Sequence, residues 1–229
     1  MKLEPRLVII TGISATGKST LRNGLMEKID NSFVLDKDLI NQGILLVLPT
    51  KTVKLLDFKE YVARDNVFPN CARKIKTPFG TMIQVDPKND FYWRHAKQQT
   101  YIVKAKLARE NLEQGKVPII DCFPIAYIIN GQLKAFMQWQ ELGDFPKYLV
   151  HCTVSEEDCY QRHVQRAKQD ENARIRDAKK ITSRDAFHKF FTEEQPPVPA
   201  ELANYKHLLV DTSKNSPHKC VNNAIKYIS

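Results

Sequence analysis

Residues 12–19 read GISATGKS, which is a complete G-x-x-x-x-G-K-S phosphate loop. The residues before it, 7–11, are apolar and β-branched, as expected of a buried strand. The residues after it, 20–29, carry apolar side chains at helical spacing. A strand, a glycine loop and a helix in this order form a phosphate cradle, because the loop amides and the helix N-terminus converge on one anion. This feature therefore predicts an α/β fold.

Each part of the loop has a predicted role in binding a nucleoside triphosphate. Lys18 is expected to reach the β- and γ-phosphates, and the Ser19 hydroxyl is expected to ligate Mg²⁺. The predicted nucleotide-binding residues of the loop are Gly12, Ser14, Ala15, Thr16, Gly17, Lys18, Ser19 and Thr20. The motif specifies a phosphate site, but it does not specify what happens to the phosphate.

Five strand-like segments alternate with helical ones along the chain: 7–11, 33–35, 117–120, 147–153 and 207–211. The alternation predicts one domain over residues 1–229, with a five-stranded parallel sheet and helices on both faces. We expect its core at 1–49 and 117–229, a substrate-side helical insertion at about 50–116, and a lid at about 155–195.

The insertion after the second strand is the least regular part of the sequence. Residues 38–48 are predicted to form a helix that ends before Pro49, and residues 91–114 a long helix. Between them, residues 50–90 contain three prolines and a glycine, so we expect a broken, loop-rich segment there.

Composition excludes several classes of protein. No segment reaches the about 20 apolar residues of a membrane span, so no membrane partner is expected. Five cysteines without paired spacing, and no secretory leader, favour a cytoplasmic protein with reduced thiols. Cys159 and His163 lie one helical turn apart, but no second pair completes a zinc site. We therefore expect a buried Cys159 and a surface His163.

The net charge of +9 is unevenly distributed. Residues 51–116 contain fourteen Lys and Arg against seven Asp and Glu, which accounts for most of the excess. Such a segment favours an anionic partner, nucleic acid included, and a lysine-rich solvated face is the alternative. The oligomeric state is left open.

Three carboxylates follow predicted strands. Asp121 ends the apolar run 117–120, and it is predicted to hold Mg²⁺ opposite Ser19, or else to cap the following turn. Asp36 and Asp38 come directly after the second strand, where a carboxylate can accept a proton from a substrate hydroxyl or orient it. The alternative for Asp38 is a helix cap.

Arginines follow the fourth strand. Arg162 and Arg166 share one face of a helix that is predicted to begin near Ser155, and Arg174 follows them. Arginine forks suit phosphate oxygens, so these residues are predicted to form a mobile lid over the nucleotide. Ordinary surface ion pairing is the alternative. Residues 214–215, after the last strand, are expected either to border the nucleotide base or only to precede a helix cap.

Five short segments together carry a resemblance to known proteins: 12–20, 35–38, 117–121, 162–166 and 210–213. They resemble small P-loop kinases of the nucleoside-monophosphate-kinase type and, more narrowly, the AAA-33 predicted-kinase group. That group includes polynucleotide 5′-kinases, zeta-type toxins and chloramphenicol phosphotransferase-like enzymes.

The resemblance implies a P-loop NTPase three-layer sandwich with ATP and Mg²⁺ as cofactors. It makes Asp38, or Asp36, the acceptor-side base, Asp121 the metal partner, and Arg166 with its neighbours the lid. Residues 50–95 match nothing in the group, so the resemblance is silent on the acceptor.

The leading hypothesis is an ATP-dependent kinase that transfers the γ-phosphate to a hydroxyl of a small-molecule or nucleotide acceptor. Its predicted catalytic residues are Lys18, Asp36, Asp38, Arg162 and Arg166. One alternative is a polynucleotide 5′-hydroxyl kinase or zeta-toxin-like kinase. Another is a nucleotide-binding switch or ATPase, although the sequence has no N-K-x-D guanine-specifying motif.

Overall fold

The computed structural model describes residues 1–36, 40, 46–47, 73–77, 80–84, 97–123, 125–169, 174, 177–178, 181–194 and 196–229. The chain divides into two compact units. The first, which we call the core unit, comprises Met1–Leu35 and Ala108–Ser229. The second, the insertion unit, comprises Asp36–Leu107.

The strands of the described residues are β1 (Leu7–Thr11), β2 (Ser32–Leu35), β3 (Leu46–Val47), β4 (Arg73–Thr77), β5 (Gly80–Gln84), β6 (Val117–Phe123), β7 (Lys147–Thr153) and β8 (His207–Asp211). The α-helices are α1 (Lys18–Lys28), α2 (Lys97–Glu113), α3 (Ile125–Ile129), α4 (Gln132–Met137), α5 (Glu156–Gln169), α6 (Arg184–Lys189) and α7 (Pro217–Ile228). A π-helical turn, Phe190–Glu194, follows α6. None of the described helices is long and apolar enough to cross a membrane.

The core unit is built on a parallel sheet with strand order β2-β6-β1-β7-β8. All four neighbouring pairs are parallel, and Val8 of β1 lies between Ile119 of β6 and Tyr148 of β7. Each of the five predicted strands is present, so the predicted parallel sheet is confirmed. Because the strands are parallel, their carboxyl ends meet at one edge, where the loops that follow them form the crevice for a ligand.

The sheet is covered on both faces. On one face, α1 and α7 pack over a cluster that includes Ile10, Ile119, Val150, Leu25 and Ala224. Leu7, Ile9 and Leu149 alternate with residues of that cluster along their strands and are also fully buried. Burial on both faces explains why β1 is a continuous apolar run and not an alternating one.

Side-chain caps fix where several helices begin. The Ser155 hydroxyl accepts from the main-chain N–H of Asp158 (3.2 Å) and donates to its carboxylate (2.8 Å), which confirms the predicted start of α5. Ser216 caps α7 by accepting from the Lys219 N–H at 3.3 Å, and Pro217 takes the first helical position.

The insertion unit contains a three-stranded antiparallel sheet of order β3-β5-β4. Two expectations about this region are wrong. Residues 46–47 were expected in a helix, but they pair with Ile83 and Gln84. Residues 73–77 and 80–84 were expected to be loop-rich, but they form a hairpin in which Thr77 pairs with Gly80. Of the predicted helix 91–114, residues 97–113 are helical and 91–96 lie outside the described residues.

Candidate functional site

The phosphate loop connects β1 to α1, and its glycines occupy positions that other residues would strain. Gly12 has φ +140° and Gly17, the N-cap of α1, has φ +82°. A Cβ on Gly12 would overlap the Cys152 carbonyl oxygen and the Thr16 hydroxyl. Ala15 has φ +65°, which is uncommon for a residue with a side chain. The loop is therefore held in one tight bend against the end of β7.

Lys18 folds over this loop. Its ammonium donates to the Ile13 carbonyl oxygen at 2.5 Å and lies 3.5 Å from the Thr16 hydroxyl oxygen. The Thr16 hydroxyl donates to the same carbonyl at 2.9 Å, and Thr16 is fully buried. The side chain predicted to reach the phosphates thus places its positive charge directly beside the loop.

Two titratable residues at the end of β7 are uncharged at neutral pH. Burial lowers the pKa of His151 to about 4, and its Nε2 lies 2.6 Å from the Pro197 carbonyl oxygen. Burial raises the pKa of the Cys152 thiol to about 12. The positive charge of Lys18 also lowers the pKa of His151, which shows that the two residues interact electrostatically. Neither side chain neutralises or repels Lys18.

The predicted strand 117–120 extends to Phe123, so Asp121 lies within β6, two residues before its end, and is 2% exposed. Its Oδ2 accepts from Arg22 Nη1 at 3.0 Å, and the Arg22 side chain is 18% exposed. Arg22 lies one turn after Ser19 on α1, so the pair joins the sheet to the helix that begins at the loop. Sequence analysis missed Arg22, although its spacing from Lys18 and Ser19 puts it on their side of the helix.

The oxygen ligands near the loop fit Mg²⁺ in character. The Ser19 hydroxyl is exposed and the Asp121 carboxylate is the kind of hard donor that Mg²⁺ prefers. Within the part of the chain that the structure describes, no group of three or more His, Cys, Asp or Glu could hold a metal alone.

Arg162 joins the loop to the end of β8. One of its guanidinium nitrogens donates to the Ala15 carbonyl (3.2 Å) and to the Thr212 hydroxyl oxygen (2.8 Å), and the other donates to the Thr212 carbonyl (2.9 Å). Thr212 also contacts the loop directly, because its hydroxyl can donate to the Thr16 carbonyl oxygen, 3.1 Å away. Sequence analysis placed Arg162 correctly on α5, but it did not foresee Thr212 as its partner.

A cavity of about 290 Å³ lies beside Arg162 and Thr212. Its lining combines apolar and polar side chains, contributed by Gly17, Thr20, Leu21, Arg162, Thr212, Asn215, Pro217 and Cys220. Small-molecule sites commonly combine apolar lining with a few polar groups in this way. Residues 214–215 were expected either to border a base or to precede a helix cap. Asn215 lines the cavity and Ser216 caps α7.

Arg166 reaches the loop at a different point from Arg162. Its Nη2 donates to the Ser14 hydroxyl oxygen at 3.0 Å and to the Asp177 carboxylate. His163 was expected at the surface, and that is wrong: it is fully buried, with its ring against Phe187. Sequence analysis missed Asp177 and His163 as neighbours of Arg166. Cys159 is buried, as predicted.

Three further predicted site residues are Asp36, Asp38 and Arg174. Asp36 follows β2 and is half-buried, and it belongs to the insertion unit. Asp38 lies outside the described residues. Arg174 is exposed. The roles given to these three residues, like those given to the other site residues, stay predictions.

The chain matches the model of the AAA_33 family, an AAA domain, over residues 7–188. No curated protein matches it. Among solved structures, it is similar to a protein from Chloroflexus aurantiacus J-10-fl described as a "putative kinase", with 16% identity, a TM-score of 0.57, and coverage of 99% of this chain and 100% of that one.

Two further solved structures resemble the chain more loosely. A gluconokinase from Sinorhizobium meliloti 1021 has 11% identity and a TM-score of 0.46, with 98% of this chain and 91% of that one covered. A sugar kinase from Janibacter sp. HTCC2649 has 12% identity and a TM-score of 0.44, with 97% and 93% covered. At these values they support no argument. The family match and the Chloroflexus structure confirm the predicted P-loop fold class.

Proposed function

Since the chain belongs to the AAA_33 family, we propose that it is a kinase that binds ATP with Mg²⁺ and transfers the γ-phosphate to a hydroxyl group. The observation that carries the proposal is the convergence of Lys18 and Arg166 on one strained glycine loop. Phosphoryl transfer needs little covalent chemistry from the protein, and it depends on positioning and on positive charge around the transferring group. The loop supplies both.

The neighbouring cavity supports a nucleotide rather than a simple anion. It opens beside Gly17 and Thr20 of the loop and is bounded by Arg162 and Thr212. A base held there would lie next to a triphosphate held by residues 12–19. Because its guanidinium donates to both the loop and the end of β8, Arg162 would shape this cavity. Arg166 is the better candidate to contact phosphate.

Ser19 and Asp121 are the residues proposed to hold Mg²⁺. The ion would supply positive charge that offsets the negative charge developing on the phosphate oxygens. Arg22 holds the Asp121 carboxylate at 3.0 Å, so this chain orients the carboxylate through a side chain of α1. A carboxylate that is already held in place loses less conformational entropy when it binds a metal ion than a mobile one does.

The acceptor side of the proposal rests on sequence. Asp38, or Asp36, would accept or orient the proton of the acceptor hydroxyl. The excess of positive charge at 51–116 favours an anionic acceptor, with a nucleic-acid 5′-end as one candidate. Reduced cysteines and a cytoplasmic location remain part of the proposal, supported by the unpaired spacing of the five cysteines.

The test is a screen of phosphate acceptors with γ-labelled ATP. Nucleosides, sugars, phosphorylated metabolites and 5′-hydroxyl oligonucleotides are each incubated with the protein, and labelled product is measured. Lys18→Ala is expected to abolish transfer with an unchanged melting temperature, because Lys18 contributes no core packing. Labelled inorganic phosphate without any labelled acceptor would contradict kinase activity and favour an ATPase or switch.

Variants of the paired acids identify the base. Asp38→Asn is expected to lower kcat by about 10²- to 10⁴-fold, the range for loss of general acid–base catalysis, with ATP binding retained. Asp36→Asn is the matched control, because it removes the same charge two residues away. If Asp36→Asn shows the larger loss, the base is Asp36.

A further inference from the structure

A buried carboxylate and a buried imidazole lie next to each other beside Arg166. Asp177 and His163 are both fully buried, and Asp177 Oδ2 lies 3.0 Å from His163 Nδ1. The same carboxylate oxygen accepts from Arg166 Nη2. Burying a carboxylate is costly unless charged or hydrogen-bonded partners compensate for the lost water. Arg166 and His163 are two of the partners that make Asp177 acceptable in the interior.

The surroundings of His163 fix which nitrogen carries its proton. The ring lies edge-on to Phe187 and Phe190, with centroids 5.7 and 6.1 Å away. Among the described residues, Nε2 is buried and has no hydrogen-bond partner. Nδ1 lies 3.0 Å from Asp177 Oδ2 and 3.1 Å from Arg166 Nη2. Because an ionised carboxylate can only accept a hydrogen bond, we assign a proton to Nδ1, from which it is donated to Asp177.

Arg166 links buried Asp177 to the phosphate loop. Its side chain is 33% exposed, while Asp177 is completely buried. The nitrogen that pairs with Asp177, Nη2, is also the one that donates to Ser14 of the phosphate loop. The position of the guanidinium at the loop therefore depends on the position of the Asp177 carboxylate.

We propose that Asp177, oriented by His163, is a positioning residue that presents Arg166 to the terminal phosphate of a nucleoside triphosphate in the loop. Neither residue touches the phosphate. Asp177 fixes the guanidinium before the nucleotide binds, so less entropy is lost when the phosphate is contacted. The inference rests on the proposed nucleotide binding, and it adds a reason why a triphosphate is preferred over a diphosphate.

The experiment compares the dissociation constants of Mg·ADP and of a non-hydrolysable Mg·ATP analogue by calorimetry. In Arg166→Ala, the dissociation constant of the ATP analogue is expected to rise by about tenfold or more, and that of ADP to change by no more than about threefold. The reason is that the variant loses a charge-assisted hydrogen bond to the terminal phosphate, which only the ATP analogue carries. Asp177→Asn should act in the same direction. In the Arg166→Ala background, Asp177→Asn should add nothing further.

Two variants of His163 provide a test that does not remove the buried charge. His163→Asn keeps an N–H donor near the position of Nδ1 and should retain the triphosphate preference. His163→Leu removes the donor and should lose the preference as Asp177→Asn does. Circular dichroism and melting temperature show whether each variant is folded.

The outcomes separate this inference from the proposed function. If the wild-type protein binds neither nucleotide, the proposed function fails and the inference falls with it. If the wild type prefers the triphosphate and Arg166→Ala loses the preference, but Asp177→Asn keeps it, only the inference is overturned. It is also overturned if Asp177→Asn weakens both nucleotides equally, since that is the signature of a structural role.

Discussion

At the scale of single residues, burial at the end of β7 sets which side chains carry charge near the phosphate loop. His151 is fully buried, and its low pKa means that the folded protein holds the ring neutral. The unfolded chain binds the proton near pH 6.5, while the folded chain does so only near pH 4. Stability contributed by this residue is therefore complete above pH 6.5 and is lost as the pH falls toward 4.

This linkage gives a pH prediction. The shift from 6.5 to about 4 corresponds to about 3 kcal/mol of unfolding free energy lost by acidification. His151→Gln cannot take up a proton, and its side-chain amide can still donate to the Pro197 carbonyl. Urea unfolding measures the decrease in unfolding free energy between pH 7 and pH 4.5. This decrease should be about 2 kcal/mol smaller in the variant than in the wild type. Equal decreases in unfolding free energy in the two proteins would contradict the low pKa of His151.

Sequence reasoning at this scale succeeded where local pattern alone decides the geometry. The loop residues, Lys18 among them, follow from one motif, and Asp121 follows from the end of an apolar run. Its partner Arg22 and the buried His163 depend instead on which distant side chains meet across the fold. A histidine on a polar helix is usually exposed, but His163 is buried against Phe187 and Phe190 and beside Asp177.

At the scale of elements, the contact between α1 and α7 depends on one small residue. A Cβ on Gly24 of α1 would overlap Val221 Cγ2 of α7. Val221 is buried in the cluster between these helices and the sheet. Because α1 begins at the phosphate loop, the packing of α1 against α7 also sets the position of the loop.

Gly24→Ala should therefore destabilise the protein, although alanine is the better helix former. The gain in helix propensity is about 0.5–1 kcal/mol, and the cost of overpacking is about 1–3 kcal/mol. Val221→Ala makes room for the new methyl group, so the double variant should be more stable than the two single losses imply. Thermal unfolding of the wild type, the two single variants and the double variant gives the coupling energy between residues 24 and 221. A Gly24→Ala protein more stable than the wild type would contradict the packing described.

The same scale shows where sequence reasoning failed. The strands β4 and β5 carry few consecutive apolar residues and are flanked by prolines, so their sequence favours a loop. In the hairpin Ile75 lies opposite Met82 in register, a pairing that neither helical nor alternating apolar spacing in this segment indicates. For residues 46–47, a short apolar run fits helix and strand equally well until its partner is known.

At the scale of the whole molecule, the distribution of charge bears on the acceptor. The chain carries +9 overall, and most of the excess falls between residues 51 and 116. Arg73, Lys74 and Lys76 all fall on β4 of the insertion unit. A polyanion bound by such a segment releases counterions, so its affinity falls steeply with salt, whereas a neutral acceptor releases none.

Binding of a short 5′-hydroxyl oligonucleotide should therefore weaken strongly as salt is raised. For about four phosphate contacts to a single strand, the slope of log affinity against log salt is about −3. Fluorescence anisotropy between 50 and 300 mM salt measures this slope, with binding of Mg·ATP in the same buffers as the control. A flat slope, or no binding, would exclude a nucleic-acid acceptor and favour a neutral small molecule.

The most direct test of the account is calorimetric titration of the wild-type protein and of Lys18→Ala and Gly12→Ala with Mg·ATP. We expect one site per chain in the wild type and a loss of at least about tenfold in affinity in both variants. Lys18→Ala removes the charge at the loop, and Gly12→Ala places a methyl group against the Cys152 carbonyl and the Thr16 hydroxyl. Absence of binding heat and of any thermal shift in the wild type, or equal affinity in all three proteins, would contradict it.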